Sequence, residues 1–278
     1  MSAIPHNARF RHLFNRQSLR SFVVPMDHGI SMGPIPGLFD MEETVGQMAG
    51  TGVNAVVVHK GLVRSIAPVL SQSPDLGLIV HLCASTSEAP DPNEKQIVCT
   101  VQEALALGAD GVSVHVNIGA DTEGQMLRDF AEAAEQCRRL GVPLLAMIYA
   151  RGPRLRVQFS EAFNAHCARV AYEIGADLVK VQYTGDPTSF ARVVQSVPIP
   201  VLIAGGPKMT NDREVLEMVS GAIQAGASGI SIGRNVFGSD NVHGLCTALG
   251  GMIHAGQSVE DSMEHVAGTA ELVGRNKR

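Results

Sequence analysis

The sequence predicts an α/β fold, a (β/α)8 TIM barrel, and three observations carry that prediction. Short apolar runs recur along the chain, each followed by an amphipathic or irregular connection. Eight such units fit into about 230 residues, the density of a closed barrel. The junctions entering several runs resemble one another: Gly52-Val53-Asn54, Gly108-Ala109-Asp110, Gly175-Ala176-Asp177 and Gly226-Ala227-Ser228. Helices that repeatedly end in glycine before an apolar strand call for a parallel sheet covered by helices. An open doubly wound sheet is the alternative, because periodicity does not show closure.

Taken in order, residues 1–278 read as one barrel domain. The polar first twenty residues, with Arg9, Arg11, Arg16 and Arg20 among apolar positions, form an N-terminal arm or short helix outside the repeating core. Strands are expected over 22–26, 55–59, 78–82, 112–116, 144–149, 178–181, 201–204 and 230–232. Helices are expected over 40–49, 101–107, 122–140, 160–174, 187–195, 212–224 and 242–255, with an extra C-terminal helix over about 258–273. Residues 30–40, rich in glycine and proline, read as a loop, and 62–75 as an irregular crossover.

Composition narrows the function classes. A net charge of -5 at pH 7 gives no basic footprint for nucleic acid, and 4% aromatic residues with no Trp make a base-stacking surface improbable. No apolar run reaches membrane-spanning length and no basic-then-apolar leader opens the chain, so neither a membrane nor secretion is expected. Cys83, Cys99, Cys137, Cys167 and Cys246 are odd in number and widely spaced, which fits a reducing cytoplasm and argues against a disulfide framework or a structural zinc site.

The centre of the chemistry is Lys180, inside the apolar run Leu178-Val179-Lys180-Val181. The chain has five lysines, Lys60, Lys95, Lys180, Lys208 and Lys277, so one in a buried strand is not compositional drift. Burying an ammonium is costly and lowers its pKa, which leaves a neutral amine able to attack a carbonyl and form a Schiff base. A strand-end lysine that reaches solvent is equally compatible with position alone.

In a barrel of this kind the site lies at the C-terminal strand ends. The polar residues there are Asp27 and His28, His59 and Lys60, His81, His115 and Asn117, Tyr149 and Arg151, Lys180 and Gln182, Gly205-Gly206 and Gly233-Arg234. Asp27 and Tyr149 are candidate proton-transfer partners for Lys180. The glycine loops Gly205-Gly206-Pro207-Lys208 and Gly233-Arg234-Asn235 follow the seventh and eighth strands, where such barrels hold phosphate. His59, His81 and His115 on successive strand ends raise a metal reading, but no short HxH or HxxxH spacing supports it and no metal is expected.

At these residues the chain resembles the archaeal-type class I aldolases, a family that includes fructose-bisphosphate aldolase and 2-amino-3,7-dideoxy-D-threo-hept-6-ulosonate (ADH) synthase. The shared stretches run from Val24-Pro25-Met26-Asp27-His28-Gly29 through Leu178-Val179-Lys180, Tyr183-Thr184-Gly185-Asp186 and Ala204-Gly205-Gly206-Pro207-Lys208 to Gly233-Arg234-Asn235-Val236-Phe237. The resemblance implies Lys180 as Schiff-base lysine, Asp27 and Tyr149 as proton-transfer residues, and a sugar-phosphate substrate. It implies substrate or phosphate contacts from His28, Lys60, His115, Arg151, Gly205, Gly206, Lys208, Gly233 and Arg234, no cofactor, and a homo-oligomer, often a decamer.

Asp27-His28-Gly29-Ile30-Ser31-Met32-Gly33-Pro34 lacks the Glu-His pair of the fructose-bisphosphate members, and with His59-Lys60-Gly61-Leu62-Val63-Arg64 it looks closer to ADH synthase. That subgroup joins a ketose-phosphate-derived unit to aspartate semialdehyde. Fructose-bisphosphate aldolase, the 2-amino-4,5-dihydroxy-6-oxo-7-phosphooxyheptanoate synthase of aminohydroxybenzoate biosynthesis, a metal-dependent lyase and a non-catalytic sugar-phosphate-binding protein are the alternatives. Ala150 stands where the family has proline, which is expected to relax the loop beside Tyr149.

Overall fold

The computed structural model describes residues 8–153, 155 and 160–275. Eight parallel strands close into a barrel: β1 (Ser21–Pro25), β2 (Ala55–Val58), β3 (Gly77–His81), β6 (Gly111–Ile118), β7 (Leu144–Ala150), β8 (Leu178–Gln182), β9 (Val201–Ala204) and β10 (Gly229–Ser231). β1 pairs with both β2 and β10, which excludes the open sheet. A separate antiparallel hairpin, β4 (Cys83–Ala84) with β5 (Gln96–Ile97), follows β3.

The helices are α1 (Gly29–Met32), α2 (Met41–Gly46), α3 (Val63–Gln72), α4 (Val101–Ala106), α5 (Glu123–Leu140), α6 (Glu161–Ile174), α7 (Pro187–Gln195), α8 (Asp212–Gln224), α9 (Arg234–Phe237), α10 (Val242–Gly250) and α11 (Val259–Arg275). Their starts are capped as sequence chemistry dictates: the side chains of Asp40, Thr100, Ser160, Asp186, Asn211 and Asn241 each accept a backbone N–H three residues on. Gly141 and Gly175 take the left-handed conformation that ends α5 and α6.

The repeated junctions have a second job. Asn54 Oδ1 accepts the N–H of Phe22 at 2.7 Å, Asp110 Oδ2 that of Leu78 at 2.9 Å, and Asp177 Oδ2 that of Leu144 at 2.9 Å. Each carboxylate or amide closing a turn thus stitches the start of its own strand to the start of the neighbouring one.

Two apolar layers follow from the period-2 alternation of the strands. Val24, Val56, Val58, Leu78 and Val80 pack outward against the helices. Val23, Ala55, Val57, Ile79, Leu145, Met147, Leu178 and Leu202 fill the barrel, joined from below by Phe10, Leu13 and Phe14. The N-terminal segment, expected outside the core, therefore plugs the bottom of the barrel, with Arg9 and its 3-10 turn (Ala8–His12) beside it.

Two further expectations are corrected. Residues 62–75 are mainly helix: α3 holds one apolar face inward through Val63 and Ile66 and accommodates Pro68 in its interior. Residues 30–40 contain one helical turn, α1. Beside Tyr149, β7 continues through Ala150, paired with Ile118, and the Arg151 N–H bonds Ile118 O at 3.0 Å; the loop expected to relax runs on through 154 and 156–159, outside the described residues.

Candidate active site

A cavity of about 380 Å³ opens at the C-terminal ends of the barrel strands. Asp27, His28, His115, Tyr149, Arg151, Lys180, Gly205, Gly206, Gly233 and Arg234 all line it, so ten of the twelve residues singled out from the sequence meet in one place. Lys60 and Lys208 do not. Lys60 lies in the 3-10 turn (Lys60–Leu62) after β2 and turns outward, its ammonium 3.0 and 3.1 Å from the Glu103 carboxylate oxygens. Lys208 donates to the carbonyl oxygen of Gly238 and braces the end of α9.

Lys180 sits at the third position of β8, inward-facing, between Met147 on β7 and Leu202 on β9. It is 7% exposed. Burial pulls its ammonium down to about 8, with Arg151 and Arg234 adding to the drop and Asp27 opposing it. At pH 7 about one molecule in ten then carries the neutral amine, against roughly one in three thousand for a lysine at its ordinary value.

Asp27 extends β1 into the mouth. Burial alone would raise its carboxyl, but His81, His28, Lys180 and His59 together outweigh that and hold it below the usual carboxylate range. His28 Nδ1 stands 3.5 Å from one carboxylate oxygen and His81 Nε2 3.8 Å from the other. Burial drives His81 down to about 4, so near neutral pH the Lys180 ammonium is a lasting counter-charge to Asp27, with Lys95 acting from farther off.

Tyr149 is buried, and that burial raises its phenol well above the ordinary value. It therefore remains a proton donor at any physiological pH. The Arg151 guanidinium lies 4.7 Å over its ring centroid and the His115 ring meets it edge-on at 5.1 Å. His115 Nε2 is 2.9 Å from Asn117 Oδ1, and burial holds this imidazole well below its ordinary pKa.

The two glycine loops are stapled together. Arg234 Nη2 donates to Gly206 O at 2.7 Å, and the buried Asn235 amide donates to Gly205 O at 2.9 Å and Pro207 O at 3.2 Å while accepting from Met209 N at 2.7 Å. Gly206 has φ +66, and a Cβ on Gly233 would stand 2.2 Å from Pro25 O, so both positions require glycine.

Sequence reasoning noted His59, His81, Gln182 and Asn235 as neighbours of the site without assigning them roles, and missed Lys95, Ser85, Asn93 and Ser231 as cavity-lining residues. Lys95, Ser85 and Asn93 come from the hairpin, which no strand periodicity announces because its strands are two residues each. The histidines do not gather as metal ligands. Among the described residues no group of three or more His, Cys, Asp or Glu could hold a metal ion, and His81 Nδ1 is instead 2.7 Å from Ser113 Oγ.

A desolvated lysine in the mouth of a (β/α)8 barrel, flanked by an ionised carboxylate and a protonated phenol, defines a Schiff-base aldolase. The chain belongs to the DeoC/LacD aldolase family, whose pattern matches residues 21–239. It is 41% identical over 246 residues, 88% of this chain and 89% of the relative, to a 2-amino-4,5-dihydroxy-6-oxo-7-(phosphonooxy)heptanoate synthase of Streptomyces griseus. It is 43% identical over 246 residues, 88% of this chain and 90% of the relative, to 2-amino-3,7-dideoxy-D-threo-hept-6-ulosonate synthase 1 of Archaeoglobus fulgidus. An archaeal fructose-1,6-bisphosphate aldolase, solved with its catalytic lysine bound covalently to the carbinolamine intermediate, superposes with a TM-score of 0.79 at 28% identity, covering 88% of this chain and 98% of that one. The class I aldolase reading of the motifs holds, and imine chemistry at a lysine needs no cofactor.

Proposed function

We propose that this enzyme is a transaldolase of the ADH synthase type, joining a ketose-phosphate-derived unit to aspartate semialdehyde, with Lys180 as its nucleophile. The observation that carries the subgroup is the 43% identity to an ADH synthase against 28% to a fructose-1,6-bisphosphate aldolase. Both curated relatives are named for seven-carbon 2-amino-6-oxo acids. A bond between carbons 4 and 5 of that skeleton joins a three-carbon ketone unit to a four-carbon amino aldehyde.

The neutral Lys180 amine attacks the ketone carbon, and the carbinolamine oxygen leaves as water with a proton from Tyr149, a phenol that burial keeps protonated. The resulting iminium accepts the electron pair of the adjacent carbon–carbon bond as it breaks, giving an enamine and releasing an aldehyde. Asp27, held ionised, stabilises the iminium and takes the hydroxyl proton of the departing carbon. The enamine then adds to the acceptor aldehyde, and water returns the amine. The loops at 205–206 and 233–234, with the Arg234 guanidinium, hold the phosphate; His28, His115 and Arg151 contact the substrate hydroxyls and tail.

A second reading has its own support. The Streptomyces griseus relative is named for a product that keeps a phosphate on carbon 7, and at 41% identity it favours dihydroxyacetone phosphate as donor. A cytoplasmic setting and a homo-oligomer, up to a decamer, belong to the same proposal; five free cysteines support the first, and Phe39 at 71% exposure supports the second.

The test is borohydride reduction with dihydroxyacetone phosphate followed by peptide mass spectrometry. An adduct on Lys180, absent in Lys180→Met and indifferent to chelator, supports the mechanism. An adduct on Lys60 or Lys208 overturns the site, and none at all leaves a sugar-phosphate-binding protein. An acceptor panel then separates the subgroups: cleavage of fructose bisphosphate without an amino aldehyde would place the chain with the fructose-bisphosphate aldolases.

A further inference from the structure

We propose that Lys95, carried over the mouth of the barrel by the β4–β5 hairpin, is the specificity residue for the second substrate and binds the carboxylate of the acceptor aldehyde. The inference rests on the aldolase reading above and names the acceptor's binding group.

Barrel order sets the direction. In the closed sequence of strands, β3 lies four steps from β9 and β6 four steps from β10, so the wall bearing the hairpin faces the wall bearing the glycine loops. The hairpin is rooted on the first wall: Val98 N bonds Leu82 O at 2.8 Å, and the His115 N–H on β6 approaches Cys83 Sγ at 3.4 Å. A donor whose phosphate occupies the glycine loops and whose ketone carbon reaches Lys180 points its open end toward the hairpin. The aldehyde that adds there extends its tail onto the same wall.

That wall holds positive charge with no carboxylate in direct ion-pair contact, although Asp27 and Asp91 act on Lys95 from farther off. Lys95 is half-buried, lines the cavity, and donates to Ser85 Oγ and, at 3.1 Å, to Pro92 O. An ammonium has three donors, so one remains for a ligand. Among the described residues no carboxylate pairs with Lys95 or with Arg151, although the chain as a whole is net negative. A partly desolvated cation without a counter-ion is costly unless an anionic ligand completes it.

The hairpin presents this charge firmly. Ser31 Oγ donates to Ser85 O at 2.8 Å, Ser87 N to Ser31 O at 3.0 Å, and Asn117 Nδ2 to Asn93 O at 2.8 Å. The braces reach α1 on one side and β6 on the other, so binding spends little on ordering the loop.

The experiment compares four-carbon aldehydes with dihydroxyacetone phosphate as donor: succinic semialdehyde, which carries a carboxylate, and butanal, which does not. The native enzyme should favour the first by about 10- to 100-fold in kcat/KM, the size of a charge-assisted contact. Lys95→Met should bring that ratio close to one by raising KM for succinic semialdehyde, and Lys95→Arg should restore most of it. Lys95→Gln, which keeps an N–H donor for the loop but no charge, should behave as Lys95→Met does.

Equal losses on both aldehydes would make Lys95 only a brace, and an unchanged ratio would remove it from recognition; either overturns the proposal. A larger loss with glyceraldehyde 3-phosphate than with succinic semialdehyde would reassign the subsite to phosphate. Borohydride trapping on Lys180 is read in parallel. Its absence from the native enzyme overturns the aldolase reading and this subsite together, whereas its presence with an unchanged ratio overturns the subsite alone.

Discussion

The reactivity of Lys180 depends on a contest between burial and Asp27, and Asp27→Asn tests it directly. Burial lowers the ammonium to about 8 and the Asp27 carboxylate opposes that drop. Removing the negative charge must therefore lower the Lys180 pKa further. Asp27 makes no direct ion pair with Lys180, yet its charge opposes the drop, so the inflection should move below about 8. At pH 7 the neutral fraction then rises above about a tenth. Competitive acetylation with trace reagent, followed by peptide mass spectrometry from pH 5 to 10, reads the amine without requiring turnover. A native inflection near the ordinary lysine value would mean that the amine is solvated. An upward shift in Asp27→Asn would mean that the carboxylate is not its counter-charge. Either result would refute the account of how the nucleophile is activated.

Three further outcomes follow from the same geometry. Tyr149→Phe should lower kcat by about 10²- to 10⁴-fold, the usual worth of a positioned acid, with little change in donor binding; stopped-flow trapping would separate the two. Gly233→Ala places a methyl 2.2 Å from Pro25 O, so it should destabilise the fold by about 1–3 kcal/mol and weaken binding of inorganic phosphate, measured by thermal denaturation and calorimetry. Phe14→Ala removes part of the plug below the barrel and should cost about 3–5 kcal/mol in denaturant unfolding, while Lys180 is still trapped by borohydride in the folded fraction.

Eight strands were legible because a parallel barrel strand is buried on both faces and reads as a short apolar run. That same property hides direction. In the run 178–181 nothing in the sequence says whether Val179 or Lys180 faces inward; the register with Met147 and Leu202 decides it. Lys60 and Lys208 carry the residue type expected of a phosphate ligand, yet each finds an acceptor outside the cavity, Glu103 in one case and the Gly238 carbonyl in the other. Those acceptors lie 43 and 30 residues away along the chain, beyond the reach of any local pattern.

The sequence by itself determined the strand–helix alternation, the caps, the glycine loops and the isolated lysine in an apolar run, because each depends on neighbours a few residues away. Tertiary structure alone decided three things. It closed the sheet, brought the hairpin with Lys95 over the mouth, and set Asp27 among His28, His59, His81 and Lys180. Protonation at such a site is a sum of burial and charges delivered by separate strands, and that sum exists only once the barrel has gathered them.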